Sequence, residues 1–156
     1  ELSGGMLNSS KIKAVIPGGS SVPVVKGEVM METNMDYASI LKVGSMLGSG
    51  GVIIMDESTC MVSVLHRISR FYYSESCGQC TPCREGTGWL YKILTNIING
   101  EAANNDLEQL ERIASQIEGH CICALGDAAA MPVRSFIKNF WEEFEYYVDR
   151  KESMVS

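Results

Sequence analysis

The chain reads as an α+β protein: a small strand-rich segment followed by a four-helix bundle. Three observations predict this. Residues 1–58 place glycine breakers between short β-branched runs. Residues 59–150 place apolar side chains at three- and four-residue steps. Between the first two helical patterns, three cysteines fall within seven residues. The 156 residues suffice for one ordinary domain or two small ones. The boundaries read as 1–58 for the strand-rich segment, 59–150 for the bundle and 151–156 for a fraying tail.

Taken in order, residues 11–16 alternate as a strand should, with Ile12, Ala14 and Ile16 expected on one face. Residues 22–25 form a short extended piece, and Pro23 suits a sheet edge. Asp36 is placed to cap a helix whose apolar face would be Tyr37, Ile40 and Leu41, with Gly44 ending it. Residues 51–55 are β-branched and read as a buried strand. So small a sheet is short of pairing partners, and further strands are expected ahead of residue 1.

Four helical faces follow. The first is Met61, Val64, Leu65, Ile68, Phe71 and Tyr72, and the second runs from Trp89 through Leu90, Ile93, Leu94, Ile97 and Ile98. The third is Leu107, Leu110, Ile113, Ala114 and Ile117. The fourth is Val133, Phe136, Ile137, Phe140, Trp141, Phe144 and Val148. Breaks are expected at 74–83, at Asn99-Gly100 and at 119–131, with Pro132 in the first turn of the last helix. In an up-down bundle the first and third breaks lie at the same end.

Composition excludes several function classes. Hydrophobic residues make up 46%, enough for a real core. A net charge of −6 argues against a nucleic-acid surface, which wants a basic patch. No apolar run approaches the ~20 residues a membrane helix needs. Six cysteines suggest disulfides in a secreted chain, but three crowded into one loop make poor bridges and no secretory signal is visible. The thiols read as reduced, metal-bound and intracellular. The chain opens without Met, which looks like a cut from a longer protein.

Cys77, Cys80 and Cys83 form a Cys-x-x-Cys-x-x-Cys run, and Cys121 and Cys123 offer a remote fourth thiol at the matching end of the bundle. Soft thiolates select zinc, copper(I) or iron–sulfur over hard ions. Zinc sites commonly pair two Cys-x-x-Cys units. A triplet plus one distant cysteine favours a 4Fe–4S cluster. A zinc-stapled helical interaction module remains the alternative. Arg84 and the first amides of the second helix would offset an anionic cluster, unless Arg84 is an ordinary surface residue.

The stretch Ser76-Cys-Gly-Gln-Cys-Thr-Pro-Cys-Arg-Glu-Gly86 resembles the cluster motif of the family of NADH- and FMN-binding subunits of respiratory complex I. Cys123-Ala-Leu-Gly-Asp-Ala-Ala-Ala130 is similar to that family's fourth-ligand motif. Residues 17–23 and 35–37 resemble its β-grasp segment, the soluble-ligand-binding β-grasp. Met131 stands where the family commonly has Trp. The resemblance implies a 4Fe–4S cluster on Cys77, Cys80, Cys83 and Cys123, with Cys121 a nearby spare. It also implies a partial β-grasp fold ahead of the bundle, and FMN and NADH binding in an N-terminal part that this chain lacks. The function implied is electron transfer within an NADH:quinone oxidoreductase. Implied partners are neighbouring iron–sulfur subunits, at the cytoplasmic side of the bacterial inner membrane or the mitochondrial matrix side. Flavin subunits of NAD-linked hydrogenases and formate dehydrogenases share both motifs. No catalytic acid, base or nucleophile is expected in this chain.

The remaining candidates have plainer readings. Cys60 suits a half-buried free thiol. His66 and His120 lack partners at ligand spacing, although His120 adjoins Cys121. Gly18-Gly19 and residues 48–51 fit no phosphate-loop spacing and read as turns. Trp89, Trp141 and Tyr146-Tyr147 read as packing rather than an electron route.

Overall fold

A computed structural model describes residues 5–6, 10–103 and 105–155. The elements run β1 (Ile12–Ile16), β2 (Val25–Lys26), α1 (Gly27–Met31), α2 (Tyr37–Lys42), β3 (Ile53–Asp56), α3 (Met61–Glu75), α4 (Thr81–Ile98), α5 (Asp106–Ile117) and α6 (Leu125–Arg150). The sheet has the order β2-β1-β3, antiparallel throughout. Each long helix packs on its neighbours: α3 lies against α4 and α6, and α5 against the same two. Ser156, which closes the expected tail, lies outside the described residues; residues 151–155 carry no helix or strand.

β1 is the partition between two cores. Ala14 and Ile16 join Val22, Val24 and Met55 in the large core, together with Leu65, Leu90, Leu110 and Phe136 of the bundle. Val15 faces the other way, onto Val25, Met30 and Ile40 beneath the short helices. Alternation puts Ile12 beside Ala14 and Ile16, but it packs with this second cluster. The reason is a register irregularity between Ile12 and Ala14, where the pairing steps from Asp56 to Met55. One extra residue in a strand reverses the face that precedes it.

Other expectations shift for physical reasons. β3 is an edge strand rather than a buried one: Met55 is buried, whereas Ile53 is 42% exposed. On α2, Asp36 caps as expected, its Oδ1 accepting the Ser39 N–H at 2.8 Å. Only Ile40 is buried there, however; Tyr37 and Leu41 are exposed because a helix of six residues presents one side chain to a narrow cluster. Helix α1 has no amphipathic run long enough to announce it. Phe71 and Trp89, placed on core faces by periodicity, are more than half exposed. Helix α6 begins at Leu125, so Pro132 is inside it rather than in its first turn. The alanines 128–130 are strong helix formers and carry the helix back past the proline.

Side chains of α6 fasten the strand-rich segment to the bundle. The buried Val24 N–H donates to Ser135 Oγ at 3.0 Å, and Asn139 Nδ2 donates to the Val24 carbonyl at 2.8 Å. Ser135 Oγ donates in turn to the Pro132 carbonyl at 2.9 Å. Half-buried Lys13 and buried Glu143 form an ion pair of 2.6 Å beside them. The two glycine loops are turns that hold each other, through Gly19 N–H to Gly51 O at 2.8 Å and Ser49 N–H to Gly18 O at 3.1 Å.

Candidate metal centre

Helix α3 ends at Glu75, and Ser76 turns the chain into an extended conformation. Gly78 follows at φ +76°, a left-handed conformation that costs L-residues energy. Cys80 is then the N-cap residue of α4, and Pro82 sits in its first turn, where a missing N–H costs nothing. The helix begins before the expected end of the break, so Cys83 is already helical. It is 7% exposed. Cys80 and Cys83 therefore flank a helix N-terminus, whose free amides favour thiolate charge.

The loop is braced from two sides. Ser76 Oγ lies 3.3 Å from Cys83 Sγ and accepts the Gly78 N–H at 3.3 Å. Arg84 donates to the Gly78 carbonyl at 3.2 Å and to Thr81 Oγ1 at 3.4 Å, and pairs with Glu85 at 3.0 Å. The sequence suggests Arg84 as a counter-charge; its bonds make it a brace for the cysteine turn. Ser76 has no signal in the sequence, because a serine before a cysteine is unremarkable by itself.

The second loop arrives as the bundle topology requires. Helix α5 stops at Ile117, Gly119 adopts φ +74°, and Gly119 N–H donates to Asp127 Oδ1 at 2.7 Å, which ties the turn to the first turn of α6. Ile122 N–H donates to Cys80 Sγ at 3.3 Å. That bond joins the two loops directly, and no sequence pattern could reveal a backbone donor. Cys77, Cys80, Cys83, Cys121 and Cys123 all line one cavity of about 150 Å³, closed by Glu75, Gln79 and Leu125. Cys77 and Cys123 are exposed at its rim, Cys80 and Cys121 are half-buried and Cys83 is buried. Burial pushes the Cys121 thiol up, and the charges of Cys83 and Cys80 add to it; the Cys83 N–H opposes them.

Cys60, His66 and His120 do not line this cavity. Cys60 is the N-cap residue of α3. The His66 ring stacks on Tyr91 with centroids 5.1 Å apart, and His120 Nδ1 lies 2.8 Å from the Glu118 carbonyl. Among the described residues, no group of three or more His, Cys, Asp and Glu is gathered to hold a metal ion. A zinc ion draws its thiolates to about 2.3 Å from one point. The five thiols surround a space with room for several water-sized bodies.

Residues 63–147 match the family described as the NADH-ubiquinone oxidoreductase-F iron-sulfur binding region. The chain belongs to this family. Its iron–sulfur region takes a 4Fe–4S cluster, and the donor set fits: soft sulfur ligands, distributed round a cavity at a helix N-terminus. The chain is 50% identical over 152 residues to an F subunit of the NADH-quinone oxidoreductase of Rhizobium meliloti, covering 97% of this chain and 36% of that protein. Against the F subunit of the same enzyme from Rickettsia bellii the identity is 49% over 134 residues, 86% of this chain and 32% of the relative. The chain thus spans about a third of the length of the curated relatives it matches. A crystal structure of an NAD+-reducing [NiFe]-hydrogenase in the H2-reduced state superposes with a TM-score of 0.79 at 28% identity, covering 90% of this chain and 24% of that one.

Proposed function

We propose that this chain is an electron-relay segment whose 4Fe–4S cluster is held by Cys77, Cys80, Cys83 and Cys123. The observation that carries the reading is the single cavity at which two loops, far apart in sequence, present their cysteines. When bound, the cluster supplies a one-electron carrier. The chain's own residues do the rest. Cys83 anchors the buried wall, and the amides at the start of α4 favour thiolate charge. The Ile122 N–H donates to Cys80 Sγ and Ser76 Oγ lies beside Cys83 Sγ, and hydrogen bonds to sulfur tune a cluster's potential. Residues 59–150 are proposed as the cluster-bearing unit, and Lys13 and Val24 of the strand-rich segment buttress α6.

In the whole protein, NADH would reduce FMN outside these 156 residues, and the cluster would receive electrons from it. No catalytic acid, base or nucleophile is proposed among the described residues. The exposed rim at Cys77 and Cys123 is the side proposed to face neighbouring iron–sulfur subunits. No helix among the described residues is long and apolar enough to cross a membrane, which suits a peripheral subunit on the cytoplasmic or matrix side. A role in an NAD-linked hydrogenase is the second reading. The higher identity to quinone oxidoreductase subunits, 49–50% against 28%, favours the first.

Anaerobic loading of the chain with iron and sulfide tests the proposal. Brown protein with broad absorption near about 400 nm and about four irons per chain is expected, and Cys80→Ala should lose both. Colourless protein that takes up one zinc and no iron would overturn it in favour of the zinc-stapled module.

A further inference from the structure

We propose that Cys121 is an interchangeable fourth ligand, which takes the coordination position of Cys123 when that thiol is missing. This rests on the reading of the cavity as the cluster site. A 4Fe–4S cluster takes four thiolates, and the cavity has five. Cys121 lies on the same turn as Cys123, two residues earlier. The residue between them, Ile122, makes the backbone bond that pins the turn to Cys80. Either sulfur is therefore one residue from the pin.

Two features show a place built for the Cys121 sulfur. An added Cβ on Gly126 would stand 2.5 Å from Cys121 Sγ and 2.8 Å from its Cβ, so the glycine leaves the space that this side chain fills. The thiol donates only a long 3.7 Å bond to the Ile117 carbonyl, and a weak sulfur donor gives that up at little cost. Residues 119–124 form no full helix or strand, so the turn can exchange one sulfur for the other without breaking α5 or α6. Ligation forms one iron–sulfur bond and releases the thiol proton to water; no electron is transferred. Cys60 lies outside the cavity and is no substitute.

The test compares the wild-type chain with Cys121→Ala, Cys123→Ala and the double variant, each checked by circular dichroism for folding without metal. After anaerobic loading, iodoacetamide labelling and mass spectrometry identify which thiols are protected. In wild type, Cys123 should be protected and Cys121 labelled. Cys123→Ala should retain about four irons, with Cys121 now protected and an altered electron paramagnetic resonance spectrum of the reduced form. The double variant should fall to background iron. A folded Cys123→Ala chain that drops to the level of the double variant, or that loads with Cys121 still labelled, overturns the exchange. Should alanine prevent folding, Cys123→Val is scored in the same way. Failure of wild type to load would overturn the functional reading itself, whereas loss confined to Cys123→Ala overturns only the exchange.

Discussion

Glu143→Ala removes the centre of the joint between the sheet and the bundle. The Glu143 residue is 5% exposed. Its Oε2 lies 2.6 Å from Lys13 Nζ, and its Oε1 accepts the Met61 N–H, the first of α3, at 2.8 Å. Lys13 also donates to the Thr59 carbonyl at 2.7 Å. Truncation leaves the Met61 N–H without an acceptor, at about 1–3 kcal/mol. Removing one member of a buried ion pair costs about 3–5 kcal/mol in all. The Lys13 side chain is 16% exposed and can reach water, so the lower end, about 3 kcal/mol, is expected. Urea titration of the metal-free chain, followed by circular dichroism, reads this. With a slope of about 2 kcal/mol/M, the midpoint should fall by about 1.5 M at unchanged slope. Lys13→Met combined with Glu143→Leu should recover part of the loss, because an apolar pair leaves no stranded charge. Helix α3 has 15 residues and so is about 22 Å long, which puts this joint at the far end from Cys77. Iron loading per folded chain should therefore be unchanged. A Glu143→Ala midpoint equal to wild type would refute the reasoning.

Gly78→Ala should destabilise the cysteine turn by about 1–2 kcal/mol, because the residue sits at φ +76° and no neighbour clashes; slower iron uptake at unchanged global fold is the readout. Gly86→Ala should cost about 1–3 kcal/mol despite alanine's better helix propensity, since the new Cβ would meet Ile117 Cδ1 at 2.7 Å in a packed α4–α5 contact. Pairing it with Ile117→Val should return part of that stability in the same urea titration. His66 is held below its ordinary value, first by burial and then by the Arg70 charge. The unfolded chain then takes up the proton first, so stability should fall as pH drops below about 6.5 and level off below the folded value. His66→Gln should flatten that part of the stability–pH curve.

Much of the bundle is legible in the sequence. Each long helix buries a stripe at helical spacing, so Leu65, Leu90, Leu110 and Phe136 follow from periodicity alone. Element ends are less legible, as Pro132 shows, because propensity in the alanine run outweighs a proline signal. Exposed aromatics such as Phe71 and Trp89 share the period of the core without belonging to it. The strand-rich segment is harder to read: a single irregularity at Lys13 moves Ile12 from one core to the other, and no residue type marks it.

The order of residues suffices to name the atoms available for chemistry: three thiols on one turn, two on another, and four amphipathic helices to carry them. Local spacing and hydrophobic period depend only on neighbours along the chain, so they can be read there. Packing in three dimensions is what sets the two turns on one cavity, brings Ile122 N–H to Cys80 Sγ, and stands Cys121 in the wall beside Cys123. Packing also makes Glu143 and Lys13 meet inside the protein. Those contacts join residues dozens of positions apart. They exist only after helix packing has fixed the angle and depth at which one backbone approaches another.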